Sequence, residues 1–380
     1  MTAWPIVAAL SFAAIVLLAL CHIVQQFRQY RGLTLGSICV KEMLLPSVTV
    51  IVPARNERRN IGLCLRRLVE QIYPADKLQI IAVDDESRDG TIAEARAVAT
   101  ATGRIELIEA GPLPTGWTGK PHTCWLGAQA AKGEWLCFID ADTMAEPMLL
   151  QTAIAAAQRW SADMISLEPF QELSGVLDRL VMPLGFMALA ATQALGGVAV
   201  NGQFILIKAE TYFGLRGHAA HPDAVCEDLA LARAVHEAAG RIVVLDAEGL
   251  MRARMYRDAG ALWEGLSKNL TEIYGGPGRT LLIAALVLLV GWGSVLLPLH
   301  AVLDVVRGGG LGALAELALT LPIALIVFAM QMALARHFRI PIRYGLLFPL
   351  SATAGAALAL NAVRRKLLGR ISWKGRVYST

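Results

Sequence analysis

The stretch Trp135-Leu136-Cys137-Phe138-Ile139-Asp140-Ala141-Asp142 decides how the rest of the chain is read. A short apolar run, Leu136 to Ile139, leads straight into two carboxylates one residue apart. Such a run bounded by polar residues reads as a buried strand of a parallel sheet. Ligands of these sheets bind beyond the carboxyl ends of the strands, where Asp140 and Asp142 stand. Paired hard oxygens suit Mg2+ or Mn2+, which keep coordination positions for substrate phosphates. An isolated Asp-x-Asp is weak, because most such pairs are solvated turn residues. At the end of this strand it reads as a diphosphate and metal site.

On either side the pattern alternates strands with helices. Val48–Val52, Gln79–Val83, Arg104–Ile108, Asp163–Leu167, Phe204–Lys208 and Arg241–Leu245 are the further strand candidates. Ile61, Leu65, Leu68 and Ile72 recur at helical spacing, with Arg58, Arg59, Arg66 and Arg67 interspersed. Helices are also predicted over Thr91–Ala101, His122–Lys132 and Pro147–Trp160. This alternation makes an α/β fold, a mostly parallel sheet wrapped by helices.

The composition is not that of a purely soluble chain. Of 380 residues, 55% are hydrophobic and only 17% charged, against about 25% charged in ordinary soluble domains. Mean hydropathy is +0.50. A net charge of +4 is too small to point to nucleic acid. The six cysteines, Cys21, Cys39, Cys64, Cys124, Cys137 and Cys226, show neither Cys-x-x-Cys nor zinc spacing and read as buried, reduced thiols.

Trp4 to Val24 is an apolar run, broken only by Ser11 and His22, long enough to cross a bilayer. Met1 to Ala3 carries no side-chain charge while Arg28 and Arg31 follow the run, so it reads as an anchor (residues 1–27) rather than a signal peptide, with the next domain cytoplasmic. Residues 45–275 are the predicted catalytic domain. Within it, 173–200 includes the apolar stretch Pro183 to Val200 with Gly185, Gly196 and Gly197, and reads either as a core helix or as a segment in the membrane surface. Residues 280–363 hold two more spans, Thr280–Leu303 and Leu311–Ala335, and a third apolar segment, Tyr344–Val363. Arg336, His337, Arg339 and Arg343 place the second loop in the cytoplasm. A further full span would put Arg364, Arg365, Lys366, Arg370, Lys374 and Arg376 outside, so the segment reads better as a re-entrant or interfacial hairpin helped by Pro349, Gly355 and Asn361. Residues 364–380 form a basic tail. The expected location is the plasma (inner) membrane, multi-pass, with the catalytic domain in the cytoplasm.

The first strand empties into Pro53-Ala54-Arg55-Asn56-Glu57, a polar loop before a helix. The second ends in Val83-Asp84-Asp85-Glu86-Ser87-Arg88-Asp89-Gly90-Thr91. Ser87 or Asp89 can cap the next helix. Asp84 and Asp85, at the strand end, suit hydrogen bonds from a base or from ribose hydroxyls. No Gly-x-Gly-x-x-Gly or Walker loop occurs, which argues against dinucleotide and P-loop chemistry. Lys120, in Gly119-Lys120-Pro121-His122, reads equally as a phosphate neutraliser or a solvated loop cation. Glu227-Asp228 open an apolar helix and are either favourable dipole partners or include a general base for an acceptor hydroxyl.

Taken together, Pro53–Glu57, Asp84-Asp85-x-Ser87, Gly119-Lys120, Asp140-x-Asp142 and Glu227-Asp228 resemble, in order, the motifs of inverting family-2 glycosyltransferases with a GT-A fold. The resemblance covers roughly residues 47–268 and is strongest to membrane-anchored enzymes that glycosylate lipids: the hopanoid-associated, carotenoid and ceramide types. It implies that Pro53, Arg55, Glu57, Asp84, Asp85, Lys120 and Asp140 hold the nucleotide-sugar, that Asp140 and Asp142 bind the diphosphate and its Mg2+ or Mn2+, and that Asp228, beside Glu227, is the base. The chain lacks the Gln-x-x-Arg-Trp of many relatives. Arg257, Trp263 and Lys268 stand at the comparable place, either as an acceptor-side cation and aromatic wall or as interfacial residues flanking a span. The expected reaction is inverting transfer of a sugar, from a UDP-hexose, to a membrane lipid hydroxyl. A processive polysaccharide synthase and a catalytically inactive membrane scaffold are the alternatives.

Overall fold

The structure is a computed structural model and describes residues 4–30, 34–38, 44–193, 200–247, 249–369 and 371–378. Met1 to Ala3, Arg31, Cys39, Gly196, Gly197 and Arg370 lie outside the described residues. In chain order the strands are β1 (Val48–Ala54), β2 (Leu78–Asp84), β3 (Ile105–Glu109), β4 (Trp135–Ile139), β5 (Thr143–Ala145), β6 (Met164–Glu168), β7 (Phe170–Gln171), β8 (Phe204–Lys208), β9 (Ile242–Asp246), β10 (Met251–Ala253), β11 (Ile371–Trp373) and β12 (Arg376–Tyr378). The helices are α1 (Trp4–Tyr30), α2 (Ile61–Val69), α3 (Thr91–Thr102), α4 (Gly119–Gln129), α5 (Leu149–Arg159), α6 (Val176–Gln193), α7 (Ala209–Gly214), α8 (Glu227–Glu237), α9 (Ala259–Ile273), α10 (Pro277–Val306), α11 (Gly310–His337), α12 (Arg343–Leu346) and α13 (Phe348–Leu367).

Two compact units share the chain: Tyr30–Glu172 with Val198–Met255, and Met1–Gln29 with Leu173–Gly197 and Tyr256–Thr380. The first is narrower than the 45–275 read from the sequence, since α6 and α9 group with the hydrophobic helices.

The first unit is built on a seven-stranded sheet in the order β3-β2-β1-β4-β8-β6-β9. β8 runs antiparallel to β4 and β6, and the other pairings are parallel. All seven strands are those expected from the sequence, with bounds within two residues. Alternation along each strand divides the core into two layers. Val50 and Val52 of β1 join Ile61, Leu65 and Leu68 of α2 on one face. Ile51 faces the other way, onto Cys124 and Ala128 of α4. Gly127 lets α4 lie this close, because a Cβ there would stand 2.5 Å from Ile51 Cγ2.

Local signals moved some helix ends. α2 stops at Val69, and Ile72 is 57% exposed instead of continuing the buried stripe. Pro74 disfavours helix in the residue before it, and the Ile72 N–H turns to Pro147 O at 2.8 Å. α4 starts at Gly119, with Pro121 in its first turn. A small second sheet, β5-β10-β7, had no legible pattern, because its strands are two or three residues long. Cys64, Cys124 and Cys137 are buried thiols, whereas Cys21 is exposed.

In the second unit α10 and α11 are long and apolar enough to cross a membrane. Their packing uses small residues that let backbones approach: a Cβ at Gly293 would meet Phe12 of α1 at 2.6 Å, and one at Gly291 would meet Ala352 of α13 at 2.7 Å. α6 joins the same core through Leu184, beside Phe348 and Val327. Of Pro349, Gly355 and Asn361, the residues expected to help a hairpin over Tyr344–Val363, Gly355 and Asn361 lie inside the single helix α13. The break falls earlier, at Leu347, between α12 and α13, and Pro349 sits in the first turn of α13 where its missing N–H costs nothing. α12 lies beside the last third of α11, with Gly345 against Gln331. From there α13 runs back along α10. Thr353 accepts from Trp292 at 3.0 Å, Asn361 donates to Ser267 of α9 at 2.8 Å, and Lys366 pairs with Glu272 of α9. The basic end of α13 therefore returns to the end of the bundle where α10 begins.

Candidate functional site

The carboxyl ends of β1, β2 and β4 meet where the strand order reverses around β1, the place where an open α/β sheet leaves a crevice. In the β1–β2 register Ala54 lies beside Asp84, and the Asp85 N–H donates to Ala54 O at 2.8 Å. The two loops that follow are laced together. Asn56 N–H donates to Ser87 Oγ at 2.9 Å, and Arg88 N–H returns a bond to Asn56 Oδ1 at 2.9 Å. Glu57 N–H reaches Thr91 Oγ1 at 2.7 Å, and Glu57 Oε2 accepts from Asn60 Nδ2 at 2.6 Å. Asn56 and Glu86 take left-handed φ of 51° to make these exchanges. Asp89 accepts from Thr91 N–H at 3.0 Å at the start of α3, although the cap position itself falls on Gly90; Ser87 instead serves the β1 loop.

Arg55 and Asp85 form an ion pair at 3.5 Å, with Arg55 also donating to Asp85 O. Both are among the expected donor-binding residues, and the structure sets them side by side. Asp84 is 9% exposed. Its Oδ2 accepts from Ser87 N–H at 3.0 Å, while Oδ1 is buried with no hydrogen-bond partner among the described residues. A buried acceptor left open costs about 1–3 kcal/mol unless something donates to it.

The second half of the site is joined by a lysine. Lys120 Nζ lies 2.7 Å from Asp140 Oδ1 and 2.7 Å from Glu227 Oε1. Thr118 makes this possible. Its N–H donates to Pro222 O at 2.7 Å and its hydroxyl to Ala224 O at 2.9 Å, which ties the loop before α4 to the loop before α8. Burial alone would push the Lys120 ammonium down, but Asp140 and Glu227 outweigh it and hold the group well above the ordinary lysine value. Lys120 is thus a charged bridge and not the solvated loop cation that was one of the two roles weighed from the sequence. On the other side of Asp140, its N–H donates to Gln203 O at 3.2 Å and its carbonyl accepts from Thr143 Oγ1 at 2.7 Å.

Asp228 follows Glu227 in the first turn of α8, and its Oδ1 accepts from Leu229 N–H at 2.8 Å. Burial, then the neighbouring Glu227, pushes its carboxyl up to about 6, against the opposing pull of Lys120. Gly202, between Asn201 and Gln203 ahead of β8, makes room for this carboxylate, since a Cβ there would lie 2.6 Å from Asp228 Oδ2. Sequence reasoning misses Gly202 and Thr118. An Asn-Gly before an apolar strand is the one available signal for the first, and nothing local marks the second.

Asp142 is half-buried, with Oδ1 withdrawn from solvent, and its carbonyl accepts from Arg254 N–H at 3.1 Å. Among the described residues no three His, Cys, Asp or Glu side chains gather as a protein-only metal cage. The donor set suits Mg2+ or Mn2+ nonetheless, because these ions are commonly held by one or two carboxylates with phosphate oxygens and water completing the shell. Arg257, Trp263 and Lys268 belong to the helical unit, just before α9 and within it.

Residues 49–178 match the family model described as glycosyl transferase family 2. A 4,4'-diaponeurosporenoate glycosyltransferase of Staphylococcus aureus (strain USA300) is 25% identical over 261 residues, 64% of this chain and 66% of its own length. The chain thus spans just under two thirds of the length of the curated relatives it matches. A mannosyltransferase from Pyrobaculum calidifontis, solved with GDP-Man and Mn2+, shares the fold: TM-score 0.57 at 21% identity, covering 93% of this chain and 98% of the other. Residues 49–178 are thus a glycosyltransferase family 2 domain, and the fold is the GT-A architecture.

Proposed function

We propose that this chain is an inverting, metal-dependent glycosyltransferase that moves a hexose from a nucleotide-diphosphate donor, UDP by preference, to a hydroxyl of a membrane lipid. The observation that carries this reading is the Lys120 bridge, which draws Asp140 and Glu227 together with Asp228 next in sequence. The nucleotide lies across the ends of β1 and β2. There the open Oδ1 of Asp84 accepts from the base, and Glu57, Asp85 and Arg55 line the path from Pro53. Asp142, with Asp140, would hold a divalent metal, which would supply positive charge to offset the negative charge of the leaving diphosphate. Lys120 keeps Asp140 aimed at the same group. Asp228 takes the acceptor proton, and its raised carboxyl brings its basicity close to the working pH. In-line attack requires the acceptor oxygen to approach the anomeric carbon opposite the diphosphate, so the configuration inverts.

A lipid acceptor is supported by the carotenoid-type relative and by α10 and α11. In this reading α1, α10 and α11 span the plasma membrane and the sheet unit is cytoplasmic. α12 and α13 re-enter from the cytoplasmic side, so Arg364, Arg365 and Lys366 stay there with Arg336 and Arg343, as the charge rule asks. α6 and the α9 residues Trp263 and Lys268, with Arg257 before them, then border the lipid's path. Membrane tethering raises the local concentration of an acceptor that stays in the bilayer. The test is incubation of membranes with labelled UDP-glucose, UDP-GlcNAc and GDP-mannose and Mn2+. One organic-soluble product is expected. A water-soluble polymer would favour a processive synthase, and no product with any donor an inactive scaffold.

A further inference from the structure

The small sheet β5-β10-β7 brings an arginine beside the Asp-x-Asp. β5 follows directly on Asp142 and pairs antiparallel with β10 in the register Thr143 to Ala253, Met144 to Arg252 and Ala145 to Met251. One step further along the same ladder Arg254 lies opposite Asp142, and the Arg254 N–H donates to Asp142 O at 3.1 Å. Directly opposed residues of an antiparallel pair share one face of the sheet, with Cβ atoms about 4.5–5.5 Å apart. Arg252, two residues back on that face, is an exposed surface cation engaged by Glu146 at 3.2 Å and Glu172 at 3.8 Å. Arg254 is half-buried, and its Nε is withdrawn from solvent. Arg252 in β10 and Arg254 just past its end thus have different surroundings, and of the two only Arg254 stands beside the Asp-x-Asp.

Charge points the same way. Lys120 is shared between Asp140 and Glu227, with Asp228 next to Glu227, so this end of the sheet is rich in carboxylates. A cation within reach of the phosphates favours the docking of a diphosphate there.

We propose that Arg254 binds the donor's diphosphate beside Asp142, its planar guanidinium taking two non-bridging phosphate oxygens at once. Guanidinium geometry suits this better than an ammonium does. The proposal rests on the reading of Asp142 as the diphosphate-side residue. The experiment is calorimetric titration of the full-length protein in detergent with UDP, GDP and UMP, each with Mn2+, for wild type, Arg254→Gln and Arg254→Lys. Arg254→Gln is expected to weaken UDP binding by about ten- to hundredfold while UMP binding and the melting temperature of the ligand-free protein hold. Arg254→Lys, which keeps the charge and loses the fork, is expected to recover part of the UDP affinity. A parallel loss of UDP and UMP binding in Arg254→Gln would overturn the proposal, as would Arg254→Lys matching Arg254→Gln. Failure of the wild type to bind UDP or GDP under the same conditions would overturn the glycosyltransferase reading itself, and the Arg254 assignment with it.

Discussion

Replacing Asp228 by Asn separates what the carboxylate does for the reaction from what it costs the fold. The side chain keeps its shape and an oxygen for the Leu229 N–H bond at 2.8 Å. What it loses is a charge that burial and Glu227 disfavour, so its carboxyl is raised from the ordinary 3.8 to about 6. A raised carboxylate means that the folded state holds its proton more tightly than the unfolded chain. The stability from this group is therefore complete below about pH 4 and is lost as the pH climbs through about 6. A rise of this size is worth at most about 3 kcal/mol, and less where water still reaches the half-buried carboxylate. Asp228→Asn should thus melt several degrees above wild type at pH 8, with the gap closing towards pH 4. Its kcat should fall by about 10²- to 10⁴-fold, the usual contribution of a general base. The wild-type acid limb near pH 6 should vanish from whatever rate remains. Differential scanning fluorimetry across pH and a transfer assay on the same preparations measure both. A variant that turns over normally, or that melts with wild type at every pH, would refute the assignment.

Other outcomes follow from the same geometry. Lys120→Gln leaves Asp140 and Glu227 facing each other without their cation, so the ligand-free protein should lose about 1–3 kcal/mol, discounted for the lysine's partial exposure. It should also move the acid limb of the rate above pH 6, because Lys120 holds Asp228 down. Gly202→Ala drives a methyl group to 2.6 Å from Asp228 Oδ2. The expected result is a kcat loss on the order of a hundredfold with donor affinity kept, as for a catalytic group misplaced by about 1 Å. Gly127→Ala should destabilise by about 1–3 kcal/mol through its clash with Ile51, read as a lower melting temperature. Chelation with EDTA should stop transfer, and Asp142→Ala should make donor binding insensitive to added Mn2+; unchanged Mn2+ dependence in that variant contradicts the metal assignment.

The seven-stranded sheet was legible because its central strands are short apolar runs ending in polar residues, as burial on both faces requires. Asp140, Asp142 and Asp84 could be singled out for the same reason, since polar residues at strand ends have a definite place in such a fold. The bridge through Lys120 was not legible. It depends on Thr118 joining two loops more than a hundred residues apart, and nothing near Lys120 signals Glu227. Arg254 was missed because a three-residue strand carries no period, and only the register with β5 brings it to Asp142. Ile72 misled because its spacing continued the helical stripe past Val69, where α2 stops. Pro349 marked the break between α12 and α13, whereas Gly355 and Asn361 did not, since a helix held by neighbours runs through residues that would weaken it alone.

The central claim is that the acids gathered at the rim of the sheet pass a sugar to a lipid. Mass spectrometry of total lipids from cells that make the wild-type chain, the Asp228→Asn chain, or neither tests it most directly. A lipid species heavier by one hexose, present with wild type and absent from the other two, is the predicted result. Identical lipid profiles in all three, or the same new species with Asp228→Asn at wild-type level, would contradict it.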